Sequence, residues 1–177
     1  NAIGIGIGMG TSAYAQGTLA ALLRTFPNVP FVIDADALNL VASSEDLQRA
    51  LPKNAILTPH PKELERLIGK WSDDLDRQAK AKEFAKKHKI ILVLKGAFTM
   101  ITDGDHFWVN STGNPALATA GSGDVLTGVI TGLLSQGYTP LNAAIVGVYI
   151  HGKAADTYVR NTKKSTMIAS DIIDFLS

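Results

Sequence analysis

The sequence predicts an α/β fold whose mostly parallel central sheet carries helices on both faces. Strand-like and helix-like segments alternate along the chain, which is typical of this class. Several strand-like segments are apolar at every position, as expected for strands that are covered on both faces. With 177 residues, of which 46% are hydrophobic, the chain is expected to form a single domain over residues 1–177.

The predicted elements follow one another with turn residues between them. The strands are an isoleucine–glycine alternation from Ile3 to Ile7, then residues 31–33, 55–57, 90–94, 100–101 and 107–109, the last two forming a hairpin. The helices cover about residues 13–26, 73–88 and 125–134, then a stretch from Pro140 and another from Ser170 to Leu176. Ser72 and Thr139 are the expected caps of two of them, and Gly137 is expected to end the third helix.

Composition and charge exclude several functional classes. The formal net charge is +1 and no long basic run occurs, so we expect no nucleic-acid partner. The absence of cysteine excludes a disulfide framework, a thiolate nucleophile and a cysteine-based zinc site. No apolar run has the length of a membrane span, which leads us to expect a cytoplasmic enzyme without a membrane partner. Because the chain opens directly on a strand, its N-terminal portion is expected to be missing.

The most informative segment is Gly113-Asn114-Pro115, followed by Gly121-Ser122-Gly123-Asp124 at the start of an apolar helix. Glycines on both sides of a serine let the backbone curl, so that successive N–H groups point into one concavity at the positive end of the helix. Such a hole suits a transferring phosphoryl group, and Asp124 beside it could accept a proton from a substrate hydroxyl. The alternative is that Asp124 is an ordinary acid in the first turn of a helix.

A second glycine turn, Gly6-Ile7-Gly8-Met9-Gly10, follows the first strand. It resembles half of a dinucleotide-binding fingerprint, but its glycines alternate, and no carboxylate stands where such a unit would hold a ribose. We interpret the turn as a place where the backbone approaches a ligand closely. Simple packing between strand and helix is the alternative.

Polar segments also follow the next two strands. In Asp34-Ala35-Asp36-Ala37-Leu38-Asn39, two acids could position a substrate or hydrated Mg²⁺, although capping and turn formation explain either acid alone. In Thr58-Pro59-His60-Pro61-Lys62-Glu63, the prolines hold His60 rigidly at a strand end, which favours contact with a ligand. Glu63 could reach Mg²⁺ through water, or it could cap the next helix.

The Lys95–Thr99 segment ends the clearest strand, and its lysine and threonine suit nucleotide phosphates or ribose. A solvated lysine in a tight turn is the alternative. Open α/β sheets bind ligands at the carboxyl ends of their strands. The sequence therefore predicts one shared site at that edge, built from residues 6–10, 34–39, 58–63, 95–99 and 113–124.

In this order, the segments resemble the NAD(P)H-hydrate dehydratase family of the ribokinase-like superfamily, formerly grouped with carbohydrate kinases. The matching pattern is a glycine-rich turn, Asp-Ala-Asp-Ala-Leu-Asn, Thr-Pro-His-Pro-x-Glu, Lys-Gly, Gly-Asn-Pro and Gly-(Ser/Thr)-Gly-Asp, and it extends from Ile3 to about Asp156. The Asp-Ala-Asp and Thr-Pro-His-Pro segments distinguish this family from ordinary sugar kinases. Two departures are Ile7, which replaces the family's proline, and the absent upstream part of the domain, which in the family contributes to the substrate pocket.

The resemblance implies dehydration of hydrated NADH or NADPH (NADHX and NADPHX), driven by ADP or ATP with Mg²⁺, and ADP is the favoured donor. Asp124 would deprotonate the hydroxyl of the hydrated ring, which attacks the terminal phosphoryl group, and phosphate would then leave by elimination. The implied hydrate contacts are Gly8, Gly10, Asp36, Asn39, His60 and Asp124. The implied nucleotide contacts are Lys95, Gly96, Ala97, Phe98, Thr99, Asn114, Gly121, Ser122 and Gly123.

Two other functions remain open from the sequence. The first is a true small-molecule kinase of the same superfamily that phosphorylates a vitamin-precursor alcohol, because Asp124 and its anion hole fit that reaction equally well. The second is a nucleotide-binding remnant without turnover. For the enzyme we expect small-molecule and nucleotide partners and assembly into a homo-oligomer.

Overall fold

In the computed structural model, which describes residues 1–176, six strands form a single sheet. They are β1 (Ile3–Ile5), β2 (Phe31–Ile33), β3 (Ile56–Leu57), β4 (Ile91–Leu94), β5 (Met100–Thr102) and β6 (Phe107–Val109). The strands lie side by side in chain order, with β1 to β4 parallel and β5 and β6 antiparallel to their neighbours. The carboxyl ends of the four parallel strands therefore share one edge of the sheet.

The described residues form eight α-helices and one 3₁₀ turn. The helices are α1 (Ala13–Thr25), α2 (Ala35–Ser43), α3 (Glu45–Arg49), α4 (Pro61–Ile68), α5 (Asp74–His88), α6 (Ser122–Ser135), α7 (Pro140–Thr162) and α8 (Ala169–Asp174), and the 3₁₀ turn is Pro115–Leu117. Within residues 1–176, no helix combines the length and apolar character that crossing a bilayer requires.

The strand β2 shows how the sheet is covered. All three of its side chains are completely buried. Phe31 and Ile33 pack with apolar residues of α1 to α5 on one side, whereas Val32 packs with α6 and α7 on the other. Alternate side chains of a strand point to opposite faces, so a strand between two helical layers must be apolar at every position. The predicted α/β class with helices on both faces is confirmed.

Small residues let α6 and α7 pack closely on the second face. A Cβ added at Gly147 of α7 would lie only 2.7 Å from Ile130 Cγ1 of α6, so glycine is required for this approach. The predicted cap of α7 is confirmed, because Thr139 Oγ1 accepts a hydrogen bond from Asn142 N. Gly137 follows α6 with a φ of +91°, as expected for a residue that ends a helix.

Several predicted boundaries were wrong. Asp73 rather than Ser72 caps α5, because its carboxylate accepts from Asp76 N while Ser72 N itself donates to Asp76. The last helix begins at Ala169 and ends at Asp174, and Ile7 lies outside β1 with 45% of its surface exposed.

Two segments taken as loops lead directly into helices, since α2 begins immediately after Asp34 and α4 begins immediately after His60. Both starts stand directly beyond a strand at the carboxyl edge. The side chains that follow β2 and β3 are therefore held by helical backbone rather than by irregular chain.

Candidate active site

The carboxyl edge of the sheet brings the predicted segments together. Asp36 Oδ2 accepts from Gly10 N at 2.9 Å, which joins the segment after β2 to the first glycine turn. Lys95 N donates to the carbonyl of Pro59 at 3.0 Å, which joins the segments after β4 and β3. The segment before α6 approaches the same edge through α6 itself, which packs against β1 and β2.

The start of α6 leaves backbone donors free. Its N-cap residue is Gly121, in the left-handed conformation with φ +82° and ψ −8°, and no side chain caps the helix. Within residues 1–176, the amides of Gly123 and Asp124 have no hydrogen-bond acceptor. Unsatisfied amides at the positive end of a helix form a site for an anion. The free amides have the arrangement expected of an anion hole, and binding of an anion there stays a prediction.

Asp124 occupies the first turn of α6 with its side chain exposed. Among the described residues, its carboxylate makes no hydrogen bond or ion pair, and it does not fold back onto the backbone amide of Gly121 as a capping acid would. A free carboxylate beside free amides can take up a proton while the amides bind a negatively charged group. Asp124 thus stands in the first turn of α6, as the alternative expected, without acting as a cap, and its role as a proton acceptor stays a prediction.

Behind this turn lies a buried polar network whose pairing the sequence did not predict. The carboxylate of Asp34 is 2% exposed, and it accepts hydrogen bonds from Lys95 Nζ at 2.9 Å and from Thr127 Oγ1 at 2.8 Å. Lys95, predicted to contact the nucleotide, is therefore paired. The sequence could have indicated that Thr127 has a buried hydrogen-bond partner, because it is a polar residue on the buried side of an otherwise apolar helix.

The first glycine turn packs closely at one glycine and has open space at two others. A Cβ at Gly6 would lie 1.8 Å from the carbonyl oxygen of Asp34, so Gly6 serves close packing between β1 and α2. Gly8 and Gly10 also have positive φ values, +64° and +73°, but nothing lies within 4 Å of where their Cβ atoms would be. The turn therefore leaves space for a ligand beside the Cα atoms of Gly8 and Gly10, although the amide of Gly10 is already bonded to Asp36.

His60 and Glu63 form the N-terminal cap of α4. The imidazole Nδ1 of His60 accepts from the amides of Lys62 and Glu63, and Glu63 Oε2 accepts from His60 N at 2.9 Å. The other ring nitrogen of His60 lies 3.2 Å from Glu63 Oε1. Because Glu63 is buried and both its oxygens are engaged, the capping role holds, and water-mediated contact with Mg²⁺ stays a prediction.

Other predicted contacts also have structural partners. Asn39 Oδ1 accepts a hydrogen bond from Arg66 at 2.8 Å, which ties α2 to α4. Asn39 therefore has a structural role beside any contact with a ligand. Asn114 Oδ1 caps the 3₁₀ turn by accepting from Ala116 N. Asp36 anchors the glycine turn through Gly10 N. Each of these residues shapes the site, and direct ligand contact by any of them stays a prediction.

Residues 95–98 of the Lys95–Thr99 segment line a cavity of about 330 Å³ beside β4. Gly96, Ala97 and Phe98 are exposed, and 78% of the Phe98 surface is accessible. Thr99 Oγ1 donates to the carbonyl of Gly96 and closes the turn. A nucleotide at the edge of the sheet could lie along the exposed backbone of this turn.

A buried histidine supports the start of α6 from α7. His151 Nε2 lies 3.0 Å from the carbonyl oxygen of Ser122 and donates to it, and Ser122 is itself buried. Burial holds the pKa of His151 below its usual value, against the raising effect of the Ser122 hydrogen bond, and the charge of Lys95 lowers it further. A neutral His151 therefore fixes the first residue of α6, and its place in an apolar helix gave no sign of this contact.

The described residues contain no group of three or more metal-ligating histidine, aspartate or glutamate side chains. A Mg²⁺ ion at this site would therefore be carried mainly by nucleotide phosphates and water, which is a common mode of magnesium binding. At the start of α6, the acidic side chain is that of Asp124, and its carboxylate oxygens make no hydrogen bond with the described residues.

Comparison with known proteins identifies the chain's relatives. The sequence model of the NAD(P)H-hydrate dehydratase family matches residues 1–177. A relative from Neisseria meningitidis, named as an ADP-dependent (S)-NAD(P)H-hydrate dehydratase, is 42% identical over 98% of this chain and 59% of its own length. The chain thus spans about three fifths of this relative.

Solved structures show the same fold. The ADP/ATP-dependent NAD(P)H-hydrate dehydratase of Bacillus subtilis, co-crystallised with ATP and Mg²⁺, is 36% identical with a TM-score of 0.79, over 99% of this chain and 63% of that structure. A ribokinase-like superfamily protein from Enterococcus faecalis is 28% identical with a TM-score of 0.79, over 98% of this chain and 61% of that structure. The predicted ribokinase-like architecture is confirmed.

Proposed function

Because this chain belongs to the NAD(P)H-hydrate dehydratase family, we propose that it carries the phosphoryl-transfer centre of a nucleotide-dependent enzyme that dehydrates hydrated NADH and NADPH. The observation that carries the proposal is the start of α6. Within the described residues 1–176, free amides at Gly123 and Asp124 stand beside an exposed carboxylate that has no partner. This pairing supplies an anion hole and a proton acceptor at one point.

In the proposed reaction, Asp124 removes the proton from the hydroxyl group of the hydrated nicotinamide ring. The resulting oxygen attacks the terminal phosphorus of the nucleotide, one O–P bond forms, and the bond from that phosphorus to the bridging oxygen breaks. The free amides of Gly123 and Asp124 stabilise the charge that collects on the phosphoryl oxygens. The ring nitrogen then expels phosphate as the C–O bond breaks, and loss of a proton from the neighbouring carbon restores the double bond.

The placement of the two ligands follows from which backbone is open. The terminal phosphate would lie over Gly121 to Asp124, and the rest of the nucleotide would follow the exposed turn Gly96–Phe98. The hydrate would lie between Asp124 and the open glycines Gly8 and Gly10, with His60 at the far side. A Mg²⁺ ion carried by the phosphates would neutralise part of their charge, and no step above passes through it.

The nucleotide donor is proposed to be ADP. Support comes from the Neisseria relative, whose name specifies ADP, while the name of the Bacillus structure allows ADP or ATP. A single domain over residues 1–177, assembly into a homo-oligomer and a cytoplasmic location remain predictions from the sequence.

The proposal is tested by incubating the protein with NADPH hydrate, ADP and Mg²⁺. We expect the absorbance of NADPH to return while ADP is converted to AMP and phosphate in equal amounts. Failure to restore NADPH together with a stable phosphate ester on a hydroxymethyl-pyrimidine would show a kinase instead. Binding of ADP without any turnover would show a nucleotide-binding module.

A further inference from the structure

We propose that Asp34 is a positioning residue, which fixes the nucleotide-binding turn after β4 relative to the start of α6. The proposal concerns the phosphoryl-transfer centre and rests on the proposed function. Asp34 follows β2 directly and caps α2, and its carboxylate is 2% exposed. A buried carboxylate is costly to desolvate unless charged and polar groups surround it.

Three donors from three different elements meet at this carboxylate. Asp34 Oδ1 accepts from Ala35 N at 2.8 Å and from Lys95 Nζ at 2.9 Å. Asp34 Oδ2 accepts from Thr127 Oγ1 at 2.8 Å. One side chain therefore joins the start of α2, the end of β4 and the second turn of α6.

The network lies directly against the residues proposed to bind phosphate. A Cβ added at Gly123 would be 3.4 Å from Lys95 Nζ and 3.6 Å from Asp34 Oδ2. The ammonium group of Lys95 has three N–H donors, and one of them is directed to Asp34, which leaves donors for a phosphate near Gly123. The Asp34 carboxylate thereby sets the direction in which the lysine charge points.

Thr127 connects the Asp34 carboxylate to α6, the helix that carries Asp124. It stands four residues after Gly123, one turn along α6, so its hydrogen bond to Asp34 fixes the position of the first turn along the helix axis. Phosphoryl transfer depends on close alignment of donor and acceptor, and a displacement of about 1 Å can reduce the rate by about a hundredfold. The network therefore maintains the distance between the nucleotide and the catalytic base.

The test uses Asp34→Asn, Lys95→Met and the double variant in the full chain. Asparagine retains a cap for α2 and an acceptor for Thr127, so the variant removes mainly the charge that orients Lys95. We expect ADP to bind about tenfold more weakly, equivalent to ~1.4 kcal/mol. We also expect kcat to fall by about a hundredfold while the KM for the hydrate changes little. The matched control is Asp73→Asn, an exposed helix cap without an ion pair, which should change none of these values.

The double variant separates positioning from plain stabilisation. If Asp34 acts through Lys95, the double variant binds ADP no more weakly than Lys95→Met alone. A Thr127→Val variant should lower kcat at unchanged hydrate KM, and Thr127→Ser should restore it. The inference would be overturned if Asp34→Asn melted earlier but bound ADP and turned over like the parent protein. It would also be overturned if the losses of ADP affinity in the two single variants multiplied in the double variant.

Failure of the proposed function has a different signature. If the parent protein binds ADP but does not dehydrate the hydrate, the proposed reaction fails, and calorimetric ADP binding by the same variants still tests Asp34. The positioning role would then be supported if the losses of ADP binding free energy in Asp34→Asn and Lys95→Met did not add in the double variant. Unchanged ADP binding in Asp34→Asn would contradict it.

Discussion

The helices α4 and α6 both begin at the carboxyl edge of the sheet, and their first turns are arranged in opposite ways. In α4, the His60 ring accepts from two backbone amides, and Glu63 returns a hydrogen bond to the backbone of His60. In α6, the N-cap residue is Gly121, and no side chain within residues 1–176 caps the helix. Every other helix of eight or more residues among those described has a side-chain cap. Among the helices of eight or more residues within residues 1–176, α6 is thus the one whose first amides meet no side-chain acceptor.

The acids at the third position of these two helices sharpen the contrast. Glu63 is 5% exposed and is held by its own helix, whereas Asp124 is exposed and makes no hydrogen bond with the described residues. Residues of the same chemical class at the same helical position thus differ, because Glu63 accepts a hydrogen bond from the backbone of its N-cap residue and Asp124 does not. A capped start stabilises the fold, and an uncapped start is available for chemistry.

The largest effect is expected from Asp124→Asn. The amide cannot accept the hydroxyl proton, so kcat should fall by about 10²- to 10⁴-fold while ADP binding stays nearly intact. Steady-state turnover and calorimetric binding measure the two quantities. The control is Asp171→Asn, whose acid occupies the same position in α8 and accepts from Ile168 N, and its turnover should match the parent protein. Normal turnover in Asp124→Asn would remove Asp124 from the mechanism.

A smaller effect is expected from Gly121→Ala. Alanine is strained at φ +82°, and its Cβ would lie 3.0 Å from Ala169 Cβ, so the free energy of unfolding should fall by about 1–2 kcal/mol. Turnover should fall as well, because the free amides shift. Gly128→Ala is the matched control within the same helix. It has no neighbour within 4 Å and should gain about 0.5–1 kcal/mol in denaturant unfolding. Equal stability of the two variants would contradict the account.

The capped helix yields a paired prediction. His60→Ala removes both hydrogen bonds from the ring and should cost about 1 kcal/mol of unfolding free energy. His60→Asn keeps a capping acceptor and should restore most of that stability. If His60 also contacts the hydrate, His60→Asn raises the KM for the hydrate at nearly normal stability. An unchanged KM would restrict His60 to the cap.

The smallest effect concerns pH. Burial lowers the pKa of His151, and burial also lowers the pKa of His88. Below pH 6.5 the unfolded chain binds protons that the native protein does not bind, so stability falls as the pH falls from 6.5 toward the native pKa values. Denaturant unfolding at several pH values should show this loss, and His151→Gln should show less of it. An identical pH dependence in the variant would assign the loss to other groups.

The sequence predicted the edge of the sheet and the segments that meet there, since glycine turns and polar residues directly follow apolar strands. The sequence also allowed two roles for Glu63, a contact with Mg²⁺ through water and a helix cap. The segment His-Pro-Lys-Glu has the spacing of a capping box. The Asp34–Lys95 pair was missed because its members stand 61 residues apart, and no local pattern connects them. The extent of α2 and α4 was missed because residues 34–39 and 58–63 were interpreted mainly as loops, with capping of a helix given as the alternative.

The most direct test of the central claim follows backbone amides by NMR while ADP is added. Binding of the terminal phosphate at the start of α6 should shift the Gly123 and Asp124 amide resonances in a saturable way. The Lys62 and Glu63 amides, which His60 already engages, should stay nearly unchanged. Saturable ADP binding that leaves the Gly123 and Asp124 amides unaffected would contradict the claim that this uncapped helix start is the phosphate site.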